Sequence, residues 1–179
     1  MTEISGGRKR GVCAGRNMAV YDPEMLVTSS MAAADVEEVL AIERAVFSAP
    51  WTENMLRQEL LLPLARNLTA RIGGELIAGY LNFWVIAGEI NLHRIAVRKD
   101  QQRKGVAAAL LRAMIGLAHQ EGARYATLEV RSANEPARRL YERFGFEVRG
   151  IRPLYYDDTK EDALIMWADL GQRAGGEVV

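Results

Sequence analysis

The chain has 179 residues, 49% of them hydrophobic, and its 23 lysines and arginines balance 23 aspartates and glutamates. That is enough for one compact domain with a single core, and the even charge gives no reason to expect a polyanionic partner. One cysteine, Cys13, excludes an internal disulfide and any multi-cysteine metal site, and two histidines, His93 and His119, make a histidine-rich one improbable.

Residues 1–24 stand apart. They contain Gly6-Gly7, Arg8-Lys9-Arg10, Gly11 and Gly15 without sustained apolar periodicity, and are expected to form a mobile extension, with a basic localisation or nucleic-acid patch as the weaker alternative. No apolar stretch follows the basic cluster, so it is not read as a secretory signal. Nor does any apolar run approach the roughly 18 residues of a membrane span. A soluble, cytoplasmic protein is expected, with no membrane and no direct nucleic-acid partner.

From residue 25 the pattern is regular. Met25–Met31 reads as a short strand, and Ala34–Phe47 places Val36, Val39, Leu40, Ile42 and Phe47 at helical spacing. Ser48 to Thr52 is a turn, after which Thr52 caps a second helix through Leu62. Asn67–Ile72, Leu76–Ile86 and Glu89–Val97 form a three-strand meander. Val106–Glu121 is a helix with Val106, Leu110, Met114 and Leu117 on one face, ended by Gly122. Tyr125–Val130 is a strand, Glu135–Phe144 a helix, and Phe146–Leu154 with Ala163–Ala168 close the sheet; a frayed tail is expected from Gly171. Helical crossovers after residues 97 and 130 predict one mixed α/β sheet with helices on both faces. One domain therefore spans residues 25–170.

The most informative segment is Leu92–Leu111, a strand that runs through the loop Gln102-Arg103-Lys104-Gly105-Val106-Ala107 directly into a helix. The first N–H groups of a helix are unpaired, and the helix dipole adds about half a positive charge there. A diphosphate can sit on the N–H groups of residues 103 to 108, beside Arg103 and Lys104. Alone, the loop is an anion site of modest specificity. Neither Gly-x-Gly-x-x-Gly nor Gly-Lys-Ser/Thr is present.

Gln102-x-x-Gly105-x-Ala107 after the strand His93–Val97 resembles the acetyl-CoA motif of the GNAT acetyltransferases. Leu128–Asn134 with Leu140–Phe146, the loop Tyr155-Tyr156 before Glu161–Met166, and Pro50-Trp51-Thr52 are similar to the branch that acetylates the N-terminal alanine of ribosomal proteins. Four motifs fall in order across residues 25 to 170. Ala107 stands where the commonest motif has a second glycine, a small departure.

The resemblance implies a GNAT fold whose fourth and fifth strands splay apart to admit pantetheine. It implies acetyl-CoA as cosubstrate, with Ile95, Ala96 and Val97 along the acetyl end. Arg103, Lys104, Gly105, Val106, Ala107 and Ala108 would surround the diphosphate, and Asn134 the pantetheine arm; no metal is implied. It makes Glu129 the base for an α-amine and Tyr141 the acid for the departing thiolate, with Trp51, Tyr155 and Tyr156 lining the acceptor groove. The implied partner is the N-terminus of a ribosomal protein, and the enzyme is expected to be a monomer or weak dimer. Residue type alone leaves Glu129 readable as a salt-bridged strand carboxylate, Tyr141 as a core aromatic and His93 as a packed strand residue. A small-molecule or lysine acetyltransferase and a non-catalytic acetyl-CoA-binding subunit remain the alternatives. Asp157, Asp158, Glu161 and Asp162 read either as a solvated loop or as an attractor for a basic peptide.

Overall fold

The computed structural model of the protein describes residues 26–171, so the expectations for the N-terminal extension and for the tail beyond Gly171 lie outside the described residues. The chain forms β1 (Leu26–Ser30), α1 (Val36–Val46), α2 (Glu53–Leu61), β2 (Ala65–Ile72), β3 (Leu76–Ile86) and β4 (Glu89–Val97). Then come α3 (Val106–Gln120), β5 (Tyr125–Arg131), α4 (Glu135–Arg143), β6 (Glu147–Tyr156) and β7 (Glu161–Asp169). The strands make one seven-stranded sheet in the order β1-β2-β3-β4-β5-β7-β6. All neighbours are antiparallel except β4 and β5, the pair joined by the α3 crossover.

Each helix buries the stripe its spacing defines. Val36, Val39, Leu40 and Ile42 of α1 pack with Leu56 of α2 on one face of the sheet, against Ile77, Tyr80 and Ala96. Val106, Leu110, Leu111 and Met114 of α3 cover the other face, together with Tyr141 of α4 and the strand residues Leu81, Phe83, Leu92, Leu128 and Met166. Thr52 caps α2, its hydroxyl accepting the Met55 N–H at 3.3 Å.

Two departures from the predicted elements matter for function. First, β6 runs on through Tyr155 and Tyr156, so these tyrosines lie in a strand rather than a loop. The extension is irregular: Leu154 has φ 53°, its N–H is taken by the Asp162 side chain at 2.8 Å, and the register with β7 jumps from Arg152 to Tyr156. Alternation from Phe146 onward does not survive such a bulge, which is why periodicity ends the strand early. Second, β4 carries a bulge at His93, because Phe83 pairs with Leu92 while the adjacent Asn82 pairs with Arg94. His93 consequently keeps an exposed edge although its ring packs on Trp84.

Candidate active site

The parallel pairing of β4 with β5 runs only from Glu89 opposite Tyr125 to Leu92 opposite Leu128. Beyond that point both strands continue, β4 to Val97 and β5 to Arg131, without further pairing between them. The strands are splayed, leaving backbone groups of Ile95, Ala96 and Val97 along the gap. The bulge at His93 lies at the mouth of this gap, where an extra residue bends β4 away from its partner.

Below the gap, α3 begins at Val106 directly after Gly105, whose φ of 85° is left-handed. The first backbone bond into the helix is from Ala109 N–H to the Gly105 carbonyl, at 2.9 Å. The N–H groups of Val106, Ala107 and Ala108 therefore carry no partner within the helix. Arg103 is also left-handed, with φ 61°, and both it and Lys104 are exposed. Lys104 Nζ reaches Gln101 Oε1 at 3.1 Å, and Gln102 Nε2 donates to the Val97 carbonyl at 3.3 Å, tying the loop to the end of β4. A helix start with three free donors, two cations beside it and an adjoining open strand edge suits a diphosphate on an extended arm. Gly105→Ala tests the loop conformation in isolation, since a Cβ there would meet no atom within 4 Å. A left-handed alanine costs about 1–2 kcal/mol, so a lower melting temperature in calorimetry and a raised KM for acetyl-CoA are expected.

Gly79 was not among the residues singled out by sequence. A Cβ on it would lie 2.6 Å from the Ala96 carbonyl oxygen and 3.0 Å from Val106 Cγ1. Here β3, the open end of β4 and the start of α3 meet. Only hydrogen fits.

Glu129 and Tyr141 lie on opposite sides of the sheet. Leu128 and Val130 point into the α3 core, so Glu129 faces the α1–α2 side, as its position in the strand predicts. Its carboxylate meets Arg152 Nε at 3.1 Å. Hydrogen bonding to that carboxylate is also the main cause of a raised pKa at Tyr155. Tyr141 is 6% exposed, edge-on to Phe146 at 5.9 Å, and its hydroxyl has no hydrogen-bond partner among the described residues. Burial, then the proximity of Tyr156, raises its pKa far above the ordinary tyrosine value, so it stays protonated throughout the neutral range. Asn134 caps α4, its Oδ1 accepting the Ala137 N–H at 3.3 Å, which leaves its amide nitrogen to donate elsewhere.

Tyr156 is half-buried with the Arg131 guanidinium 3.9 Å above its ring. Burial raises its pKa; Arg131 opposes the shift, and Glu129 reinforces it. His93 has its ring 4.4 Å from that of Trp84; desolvation lowers its pKa, with Glu59 and Glu129 opposing. Trp84 Nε1 in turn donates to Glu59 at 2.8 Å.

The acidic turn is exposed at residues 157–160, as a solvated loop would be, but its carboxylates are engaged by protein partners. Asp158 accepts two bonds from Arg131, at 2.8 and 2.9 Å, and one from Ser48 at 2.5 Å, and these donors hold its pKa down at about 2. Glu161 accepts the Ala133 N–H at 2.6 Å, Asp162 accepts from Leu154, and Asp157 pairs with Lys160 at 3.1 Å. These carboxylates fasten the β6–β7 turn to β5 and to the α1–α2 turn. Trp51, in that turn, is partly buried.

Among the described residues no helix is long and apolar enough to cross a membrane. Nor is any group of three or more His, Cys, Asp or Glu placed to hold a metal.

Comparison with known proteins bears directly on this arrangement. Residues 36–146 match the family described as Acetyltransferase (GNAT) family. A Bacillus subtilis relative is 37% identical over 139 residues, 77% of this chain and 91% of its own. An Escherichia coli protein named ribosomal protein bS18-alanine N-acetyltransferase is 34% identical over 149 residues, 79% of this chain and 96% of that one. The crystal structure of the E. coli ribosomal-protein-alanine enzyme superposes with a TM-score of 0.76 at 32% identity, covering 87% of this chain and 99% of that one. The splayed pair of strands and the donor-rich loop thus share one explanation: the chain belongs to the GNAT family and is an acetyl-CoA-dependent N-acetyltransferase.

Proposed function

We propose that the acceptor is the α-amine of a protein N-terminus, an alanine exposed at the start of a ribosomal protein, acetylated in the cytoplasm by direct attack in a ternary complex. The observation that carries this reading is the parting of β4 from β5 beyond Leu92 and Leu128, with Glu129 the next residue of β5. The relatives named for alanine N-acetylation support the acceptor class.

Acetyl-CoA supplies the acyl group as a thioester, with its diphosphate on the N–H groups of Val106, Ala107 and Ala108 beside Arg103, Lys104 and Gly105, and its arm along Ile95, Ala96, Val97 and Asn134. Glu129 takes the proton that the amine loses as the new N–C bond forms. Tyr141 gives its proton to the sulfur as the C–S bond breaks. A backbone N–H near Val97 faces the carbonyl oxygen, where negative charge grows as the amine attacks. Trp51, Tyr155 and Tyr156 wall the acceptor entrance.

Peptides beginning with Ala and with Ser, and spermidine, separate the acceptor classes in one turnover assay. The reading expects the Ala peptide to be best and spermidine negligible; preferential turnover of spermidine would reject it. The proton role of Glu129 has its own signature. A peptide α-amine has a pKa of about 7.7–8.0, so a base helps most when the amine is still protonated. Glu129→Gln is expected to lower kcat/KM about tenfold at pH 7, narrowing to about threefold at pH 9. A loss equal at both pH values would leave Glu129 as a structural partner of Arg152.

A further inference from the structure

Arg94 lies one residue past the β4 bulge. Strict alternation from Leu92 would send its side chain toward α3; the extra residue His93 sends it instead to the α1–α2 side. The hydrogen bond, ion pair and ring contacts of its guanidinium there all fall between residues 43 and 51, with Tyr156 of β6 close enough to interact electrostatically. It lies 4.3 Å from the Phe47 ring centroid and 5.0 Å from that of Trp51. One nitrogen donates to the Ala49 carbonyl at 3.2 Å, and another is 3.8 Å from a Glu43 carboxylate oxygen. Glu43 is fully buried, accepting the Trp51 N–H at 2.7 Å and the Tyr80 hydroxyl. Burial raises the pKa of Glu43, while the Trp51 N–H and Arg94 oppose the rise. The far side of the same turn is held by Ser48 on Asp158.

We infer that Arg94 is a positioning residue for the acceptor: it holds residues 47–51 as a preformed wall of the acceptor pocket, with Glu43 as the buried counter-charge. This rests on the N-terminal reading above and goes beyond it by assigning acceptor affinity to a side chain that performs no proton transfer. The acetyl-CoA loop receives no contact from Arg94, so the two substrates should respond differently. Two ring faces and a carbonyl, each engaged by one planar cation, fix a turn that has no ladder bonds of its own.

The test is steady-state kinetics on the full chain with an Ala-starting peptide. Arg94→Met is expected to raise peptide KM about tenfold, equivalent to about 1.4 kcal/mol, with kcat and the KM for acetyl-CoA within about twofold of the unaltered protein. Arg94→Lys keeps the charge but loses the planar fork, and should recover part of the difference. Phe47→Leu removes one ring without touching β4 and should raise peptide KM in the same direction; these two variants carry the test if Arg94→Met does not fold. Peptide turnover with unchanged peptide KM across the variants, or an equal rise in the KM for acetyl-CoA, would overturn the inference alone. No peptide turnover by the unaltered protein would remove the N-terminal reading and this inference with it.

Discussion

Replacing Tyr141 by phenylalanine is expected to lower kcat about 10²-fold or more while leaving the KM for acetyl-CoA nearly unchanged. The hydroxyl has no protein partner among the described residues, so its loss should alter folding stability by less than about 0.5 kcal/mol. What disappears is the donor that the proposed mechanism assigns to the departing thiolate. An ordinary thiol has a pKa of about 8.5, well below that of this buried tyrosine, so complete transfer to a solvated thiolate would be uphill. In the gap between the strands, however, desolvation disfavours both anions and makes the sulfur a stronger base. In the proposed step the hydroxyl gives its proton to the sulfur as the C–S bond breaks, so that a free thiolate does not form. Because Tyr141 stays protonated, the deficit in Tyr141→Phe should be nearly constant between pH 6 and about pH 9. Near-normal turnover would remove Tyr141 from the mechanism and leave it as the edge-on neighbour of Phe146.

Gly79→Ala should damage the same enzyme without touching a polar side chain. Its new methyl would stand 2.6 Å from the Ala96 oxygen, a backbone atom that cannot swing aside, and 3.0 Å from Val106 at the start of α3. Overpacking of this kind costs about 1–3 kcal/mol, or a fall of roughly 4–8 °C in melting temperature for a loss of 2 kcal/mol in a domain this size. The displacement runs directly into the donor platform at residues 106–108. A rise of about tenfold in the KM for acetyl-CoA, equivalent to about 1.4 kcal/mol, should accompany it, with peptide KM less affected. Thermal unfolding and a two-substrate kinetic matrix check both parts. If melting falls with no change in the KM for acetyl-CoA, the contact is structural only. Gly105→Ala is the comparison: there the cost is conformational, in open space, and should be smaller.

Much of this was legible in sequence because local rules decide it. Val36, Val39, Leu40 and Ile42 sort to one face of α1 by period alone, and Leu128 and Val130 send Glu129 to the opposite face of β5 by alternation. The left-handed Gly105 and the free donors after it follow from a glycine at a strand-to-helix junction. Arg94 was not legible, since the bulge that redirects it leaves no mark in a strand read as Glu89–Val97. Glu43 was hidden for a related reason. A glutamate in an amphipathic helix reads as solvent-facing, and it takes Tyr80 and Arg94, both distant in sequence, with the Trp51 N–H of the following turn, to make its burial tolerable. The exposure of the acidic turn was legible but its partners were not, because Arg131 of β5, the Ser48 hydroxyl of the α1–α2 turn and the N–H groups of Ala133 and Leu154 come from elsewhere in the chain.

Element order, the parallel crossover, the donor loop and the family are all readable from the chain without its fold. Each rests on near neighbours in the chain or on motif order. Tertiary structure alone decided that Gly79 must lack a side chain, that Arg94 faces the α1–α2 turn, and that the acidic turn is fastened in place. In each case the deciding contact joins residues far apart in sequence, and a one-residue bulge or a single Cβ sets its outcome. Periodicity carries no information about either.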